Sequence, residues 1–532
     1  MPTDYEIRRH RYHQRQPVQF RSERSRANFR QRRGYQLGRP PVDFRNHTPF
    51  PALAFEGIDQ FDRAFHVFVL RQTLTWGADG LLVYAEEQEP LCEVDEYFGA
   101  LNESSVRQES DLCHYKPKCD VIVNAMAHAP AGTSPQRFDV RLVLSRPDTA
   151  ATLPPRPQGL NQFVEPDTAA LVKWQEAVAH AQQHPVQGRR LIDKTLTVTG
   201  ERELLRTAWP IRVLASVAQA CTLGLFKPRV WRLTAPQPFS SVPLRYEYAF
   251  GGECRIRHNE PGAKRLHDKE RIPVSARAAN DAVVAPDPQA PAALEAFESN
   301  AVGRGYAAPW FLRAARVERI PAPRIEPAGQ PFTAAKFCMM QKTENHGPEA
   351  VSAILAGFGV RTKGHPQRRA LCGTIDQRFV EGNAWLPEDF DFGVWNAAPP
   401  DQQTDFLQGD EYVELTNLCA PGSAGSGSRG GDTVVRLQLP GHSCTLLVRM
   451  KNGTMFFHTM KIDTVIIEPD GRKVSVVWRA VLEKTPEIRA VDVNLHKQFE
   501  ADFTRHLDKE LDNMAVEDLL ASLTVPLEDH HG

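Results

Sequence analysis

Short apolar runs rich in β-branched and aromatic residues recur along this chain, bounded by Gly, Pro, Asn and Asp. PheHisValPheValLeu at 65–70 and LeuLeuValTyrAla at 81–85 flank TrpGlyAlaAspGly at 76–80, which predicts a hairpin closed by an Asp-Gly turn. Asp120–Val123, Phe138–Leu144 and Leu196–Val198 read as further strands, the last ended by Gly200. Five more runs follow: Val434–Leu439, Cys444–Met450, Met455–Lys461, Thr464–Glu468 and Val474–Ala480. LysAsnGlyThr at 451–454 and ProAspGlyArg at 469–472 supply two of their turns, so the pattern predicts a C-terminal β-meander over 421–480.

Helical spacing occurs in two places. After a Pro-rich linker at 146–164, Pro166 opens a stretch with Leu171, Trp174 and Val178 on one face, and Pro185 stops it. That predicts a helical insertion over 166–184. Near the end, Leu495, Phe499, Phe503, Leu507, Leu511 and Met514 recur every three or four residues, continued by Leu519, Leu520 and Leu523. The expectation is an amphipathic helix over 494–524, packed on the chain's own sheet or docked on another subunit. Tyr246–Phe250 reads as a short strand ended by Gly251–Gly252, and Ala350–Gly359 fits either a short helix or a buried strand. The polar, Pro/Ala-rich stretch at 256–296 reads as a long loop, and the Gly/Ser run at 421–432 as a flexible one. These divisions suggest a β-rich unit over 41–255, the linker at 256–296 and a middle β/loop region over 297–420.

Composition favours strands over a helical bundle. There are 41 prolines against 34 glycines, and proline is confined to edges, turns and loops. The fold-class expectation is therefore mainly β, a β-sandwich or β-meander arrangement. The formal net charge of -1 removes any whole-chain case for nucleic-acid or anionic-membrane binding. Residues 1–40 differ, with Arg8, Arg9, Arg11, Arg15, Arg21, Arg24, Arg26, Arg30, Arg32 and Arg33 among Gln, Ser and His. Tyr12, Phe20 and Phe29 add rings that stack on bases, so the segment fits an RNA-binding arm or a solvated tail that docks on an acidic surface. No apolar run reaches the roughly 18 residues of a membrane span. The start lacks a secretory signal's apolar region, and nine cysteines without paired spacing fit reduced thiols; the expected location is cytoplasmic.

Catalytic motifs are scarce. GlyPheGlyVal at 357–360 precedes Arg361, Thr362 and Lys363 at offsets wrong for a phosphate loop, and neither the hydrolase nucleophile elbow nor His-Glu-x-x-His is present. Cys113, His114, Cys119 and His128 lack the paired spacing of a zinc site, and buried thiols explain them better. Glu388, Asp389 and Asp391 have the chemistry of an acid/base pair, against the plainer reading of a loop whose carboxylates accept backbone N–H groups while Phe390 and Phe392 plug the core. Ser110–Asp111 and Lys116–Pro117 read as turn chemistry with a local ion pair. No catalytic, cofactor-binding or metal-binding residue is assigned.

Several short strings occur in a recognisable order: AsnHisThrProPhe at 46–50, SerAspLeu and LysProLys within 110–118, and AspValIleValAsnAlaMetAlaHisAlaPro at 120–130. TyrGluTyrAlaPheGlyGly at 246–252, ValGlyArgGly at 302–305, TrpLeuProGluAspPheAspPhe at 385–392 and AlaProProAspGln at 398–402 follow. AsnLeu at 417–418, AspThrValIleIleGluProAsp at 463–470 and ValTrpArg at 477–479 complete the set. Over residues 46–480 the chain resembles the domain of unknown function 2169 family, accessory proteins of bacterial type VI secretion. The resemblance implies a non-enzymatic adaptor or chaperone that holds a PAAR-bearing effector, or its N-terminal region, and helps load it onto the VgrG spike. It brings no catalytic residues. Asn124 and His128 stand where the family usually has glycine and an aromatic, and the 166–184 insertion is extra. Beside this reading stand a hydrolase using Asp389 or Asp391 and an RNA-binding protein using residues 1–40.

Overall fold

The computed structural model describes residues 42–101, 103–147, 188–208, 230–266, 288–340, 356–382 and 384–496, together with 168–173, 176, 210, 214, 217 and 221. The described chain is mainly β. Its largest sheet has seven strands, among them Ala64–Trp76, Lys473–Glu483, Lys461–Glu468 and Cys119–Val123 side by side in that order. A six-stranded sheet has Arg137–Ser145 and Tyr412–Thr416 at its centre, with Arg190–Thr199 beside the first of them. A four-stranded sheet runs Asp43–Asn46, Ile488–His496, Ser443–Met450 and Met455–Thr459.

Side-chain alternation explains how these sheets share one core. In Arg137–Ser145, Val140, Leu142 and Leu144 are fully buried, while Asp139 and Arg141 face outward to Thr197 and Asp193 of the neighbouring strand. Phe68, Leu70, Leu74 and Trp76 of the large sheet join the same apolar cluster, as do Leu446 and Val493 of the four-stranded sheet. Burying a side chain of this size is worth about 1.5–3 kcal/mol. A second cluster, around Trp231, Phe250, Trp310 and Phe337, belongs to residues 204–337.

The hairpin between Ala64–Trp76 and Leu82–Tyr84 forms as expected, with Gly80 in the left-handed region. All five C-terminal strands are present, but they are not one meander. Asp432–Gln438 joins the six-stranded sheet, Ser443–Met450 pairs with Met455–Thr459, and Lys461–Glu468 pairs with Lys473–Glu483 in the large sheet. The chain thus closes on itself: Cys119–Val123 runs parallel to residues 464–467, and Asp43–Asn46 runs parallel to residues 490–493.

Four local expectations change. Tyr246–Tyr248 is a 3-10 turn, not a strand, because Asn300 Nδ2 donates to the carbonyls of both Tyr246 and Phe250, each at 2.9 Å. Gly251 has φ +155°, and a Cβ there would stand 2.1 Å from the Asn300 carbonyl, which explains the glycine. The ends of the 256–296 segment are strands: Glu253–Arg257 pairs with Pro291–Ala296. Ser426–Arg429, within the Gly/Ser run, pairs with Asp432–Gln438. Residues 494–496 belong to the Ile488–His496 strand, where Leu495 sits opposite Cys444; the rest of the expected C-terminal helix lies outside the described residues. Residues 168–173 and 176 are helical, and the remainder of the 166–184 insertion also lies outside them, as do residues 1–40. Among the described residues no helix is long and apolar enough to cross a membrane.

Candidate functional site

The large sheet has a second face, and it carries charge. Strands 64–76, 461–468 and 473–483 each send apolar side chains into the shared core, while Arg71, Thr464, Ser475 and Arg479 lie buried with Asp120 beyond it. Residues 86–101 and 103–118 lie across this face as a strap with few apolar anchors, chiefly Cys92, Val106 and Cys113. Ion pairs hold it down. Arg71 donates to Asp111 at 3.1 Å, to Glu89 at 2.9 Å and to Gln108 at 2.9 Å. Glu89 also receives Lys473, and its pKa is low despite burial because Lys473 and Arg71 favour the ionised form. Arg107 reaches Glu468 at 2.9 and 3.0 Å, and Arg368 grips Glu109 at 2.6 and 2.8 Å.

Asp120 is the centre of this layer. Fully buried, it accepts Lys116 Nζ at 3.0 Å, the backbone N–H groups of Ala397 and Ala398 at 2.8 and 3.2 Å, and Asn396 Nδ2 at 3.1 Å. Lys116 also donates to Thr464 Oγ1 at 2.8 Å, which donates to Asp463 at 2.9 Å; Asp463 pairs with Arg479. Burial opposes the charges on Lys116 and Arg479, yet Asp120 and Asp463 respectively hold their pKa values above the ordinary ones. Nearby, Gln402 Nε2 donates to the carbonyls of Val121 and Phe358 at 2.7 and 2.9 Å.

At one end of the layer lies a cleft of about 280 Å³ lined by Phe98, Arg107, Met126, Arg245, Asp470 and Lys473, among others. Arg245 covers the Phe98 ring at 4.1 Å, and Asp470 accepts the Met126 N–H at 2.9 Å. Its described lining includes no Ser, Thr, Cys or His, and Lys473 pairs with Glu468 in its wall at 2.7 Å. Near the end of the Met455–Thr459 strand lies a smaller cavity of about 150 Å³, with Lys116 and Arg479 in its wall.

The residues singled out from the sequence take structural roles here. Cys113 and Cys119 are buried, with thiols pushed up by burial, and His114 packs edge-on against Phe65 at 6.0 Å. His128 contacts Asp470 at 3.2 Å. Among the described residues no group of three or more His, Cys, Asp or Glu is placed to hold a metal ion. Asp389 accepts the Thr374 N–H at 2.7 Å, and Asp391 caps a 3-10 turn through the Gly393 N–H at 2.7 Å. Phe390 and Phe392 are half-buried and meet edge-to-face at 5.2 Å, while Val394 takes the buried position. Lys116 and Asp111 are more than turn residues: both are buried partners in the charged layer. Asp120, Arg71 and Arg479 escaped sequence reasoning, although each is a charge inside or beside an apolar run.

The thiols give a direct check on this burial. Cys92 and Cys254 are pushed up to about 12 and Cys419 to about 11, chiefly by desolvation, whereas Cys221 is exposed. Under native conditions a disulfide reagent is expected to label Cys221 first, and the six buried cysteines only on unfolding. Rapid native labelling of Cys113 or Cys119, read by peptide mass spectrometry, would contradict the packing described.

The charged layer is assembled largely from the short strings noted in the sequence: Lys116, Asp120, Ala398, Gln402, Asp463 and Arg479 all belong to them. The sequence profile of the family described as "Uncharacterized protein conserved in bacteria (DUF2169)" matches residues 62–152 and 177–479. The chain belongs to the DUF2169 family. No curated protein and no solved structure matches it. Within this DUF2169 member the matched strings act as fold determinants. Gly303, for example, packs where a Cβ would stand 2.4 Å from Asn300 Nδ2, locking ValGlyArgGly against TyrGluTyrAlaPheGlyGly.

Proposed function

We propose that this DUF2169 protein is a non-enzymatic adaptor or chaperone. It acts in the bacterial cytoplasm, where it binds a type VI secretion effector, PAAR-bearing or through its N-terminal region, and helps load it onto the VgrG spike. The observation that supports this reading is the Met455–Thr459 strand. It pairs with Ser443–Met450 on one side and, among the described residues, with no strand on the other. Phe457 is 56% exposed and Met455 41%. Asp43–Asn46, at the opposite edge of the same sheet, is instead charged, and the Ser426–Arg429 edge of the six-stranded sheet is Gly/Ser-rich. An unpaired edge bearing large apolar side chains is a template for an extended apolar segment.

Affinity capture of the tagged full-length chain from its native cytoplasm, with and without residues 1–40, tests the proposal. The expected result is recovery of a PAAR-bearing protein or VgrG, reduced at least tenfold by Met455→Glu with Phe457→Glu while the unfolding free energy stays within about 0.5 kcal/mol of the parent. Recovery of RNA alone, or of no stoichiometric protein, overturns it; capture unaffected by the edge substitutions removes the edge as the binding surface.

A further inference from the structure

The outer edge of the Met455–Thr459 strand carries a definite set of unspent backbone groups. The Met450 N–H donates to the Thr454 carbonyl at 2.8 Å and the Met460 N–H to the Cys444 carbonyl at 2.9 Å, while Phe456 lies opposite Val448 and His458 opposite Leu446. Hydrogen-bonded pairs alternate along an antiparallel ladder, so residues 454, 456, 458 and 460 spend their backbone groups on the Ser443–Met450 strand. Met455, Phe457 and Thr459 therefore each aim an N–H and a carbonyl the other way, where no strand pairs among the described residues. Phe456 packs against the core, so Met455 and Phe457 stand on the opposite, outer face. Exposed Lys451 and Lys461 flank the edge, one beyond each end, and neither makes an ion pair among the described residues.

Charge separates the possible occupants. A second copy pairing antiparallel about Phe457 would set Lys461 of one copy opposite Gly453 of the other, two residues from its Lys451, a like-charge contact. Residues 1–40 are Arg-rich and are disfavoured in the same way. Residues 497–532 instead hold nine Asp and Glu against three Lys and Arg. Within them Leu519, Ala521, Leu523 and Val525 occupy alternate positions, preceded by Glu517 and Asp518 and followed by Glu528 and Asp529. Pro526, which has no N–H, closes the run. Leu519, Leu520 and Leu523 also fit a helical row, but an edge with unmet backbone groups selects the extended alternation. The segment is within reach. The Ile488–His496 strand ends with His496 Nε2 2.7 Å from Thr445 Oγ1, and Thr445 lies opposite Thr459. From there to the outer edge is two strand spacings, about 10 Å. The 22 residues of 497–518, at about 3.3 Å each when extended, exceed that distance several times over.

We infer that residues 517–529 of this chain occupy that edge. Leu519–Val525 pairs as an added strand with Met455, Phe457 and Thr459, its apolar face lies beside Phe457 and Met455, and the two acidic pairs meet Lys451 and Lys461. Tethering presents the segment at an effective concentration in roughly the millimolar range, which fills a site that the same peptide in dilute solution would leave largely empty. Any polypeptide client that uses this edge must displace it. The inference goes beyond the adaptor reading and does not rest on it.

Hydrogen exchange of the full-length protein, read by mass spectrometry on peptides spanning 454–461 and 473–483, tests this without any client. In the parent the N–H groups of Met455, Phe457 and Thr459 are expected to exchange at least tenfold more slowly than in Leu523→Pro, which interrupts the added strand, while the 473–483 peptide exchanges alike in both. Lys451→Glu with Lys461→Glu is expected to lose the protection too. Adding Glu517→Lys, Asp518→Lys, Glu528→Lys and Asp529→Lys to that variant is expected to restore it. Equal exchange of 454–461 in the parent and Leu523→Pro overturns the inference. So does protection indifferent to the lysine substitutions, or protection that fades on tenfold dilution, which assigns the edge to a second copy. Protection intact in a protein that captures no client supports the inference and overturns the adaptor reading alone.

Discussion

Replacing Asp120 by alanine is expected to lower the unfolding free energy by about 3–5 kcal/mol, the range for breaking a buried ion pair by removing one partner. The carboxylate is fully buried and receives four donors, one of them the buried Lys116 ammonium. Alanine leaves that charge without its counter-ion and the Ala397 and Ala398 N–H groups without an acceptor, each unmet group adding about 1–3 kcal/mol before relaxation. Asn at 120 keeps two acceptor lone pairs but not the charge, so most of the loss is expected to persist. Lys116→Met combined with Asp120→Asn removes both charges and is expected to recover a measurable part, because no uncompensated ion remains. Urea midpoints of the parent, Asp120→Ala, Asp120→Asn, Lys116→Met and the double variant decide the matter. If the double variant is as unstable as the sum of the singles, Lys116 and Asp120 are uncoupled and the account of the charged layer fails.

That layer also shows how far the sequence speaks. Strands buried on both faces are legible because they read as mostly apolar runs, as in Val474–Ala480 with only Ser475 and Arg479 polar, and because ProAspGlyArg marks the turn that places Arg472 in the left-handed region. Pairing is not legible, since no local property of Asp120–Val123 says that residues 464–467 will lie beside it. The same limit hides the site. Arg71 and Arg479 stand out as charges inside apolar runs, but their partners Asp111, Glu89 and Asp463 come together only once the strap has been laid across the sheet. Tyr246–Phe250 has strand-forming residues and is bent by Asn300, a long-range contact. Leu495 fits a helical stripe and a strand equally well, and the Cys444 strand decides between them. In contrast, Asp391 was readable as a turn carboxylate from its neighbours alone, because its bond to the Gly393 N–H needs only the residues next to it, whereas Asp389 accepts the Thr374 N–H from fifteen residues away.

Acidification from pH 6.5 to 4 is expected to destabilise the protein by a contribution of about 3 kcal/mol from His365 alone, in addition to any carboxylate effects. His365 is buried and precedes the short helix Pro366–Ala370, where its Nδ1 accepts the Gln367 N–H at 3.3 Å. Burial first, and then the nearby cations Arg361 and Arg368, lower its pKa from 6.5 to about 4. The sign follows from proton counting. Between those two values the unfolded chain binds a proton that the folded chain refuses, so stability rises with pH across this window, is complete above about 6.5 and flattens below about 4. Protonation would also cost the cap, because a protonated Nδ1 has no lone pair for the Gln367 N–H. Asn at 365 keeps an N-capping acceptor without titrating. The His365→Asn protein is therefore expected to show a shallower slope than the parent between pH 4 and 6.5, the slope of the remaining groups, while staying within about 1 kcal/mol of the parent at pH 7.5. Urea unfolding at half-unit pH steps measures both curves. Parallel curves would mean that His365 titrates alike in the folded and unfolded chains, and that Arg361 and Arg368 do not press on it as their positions imply.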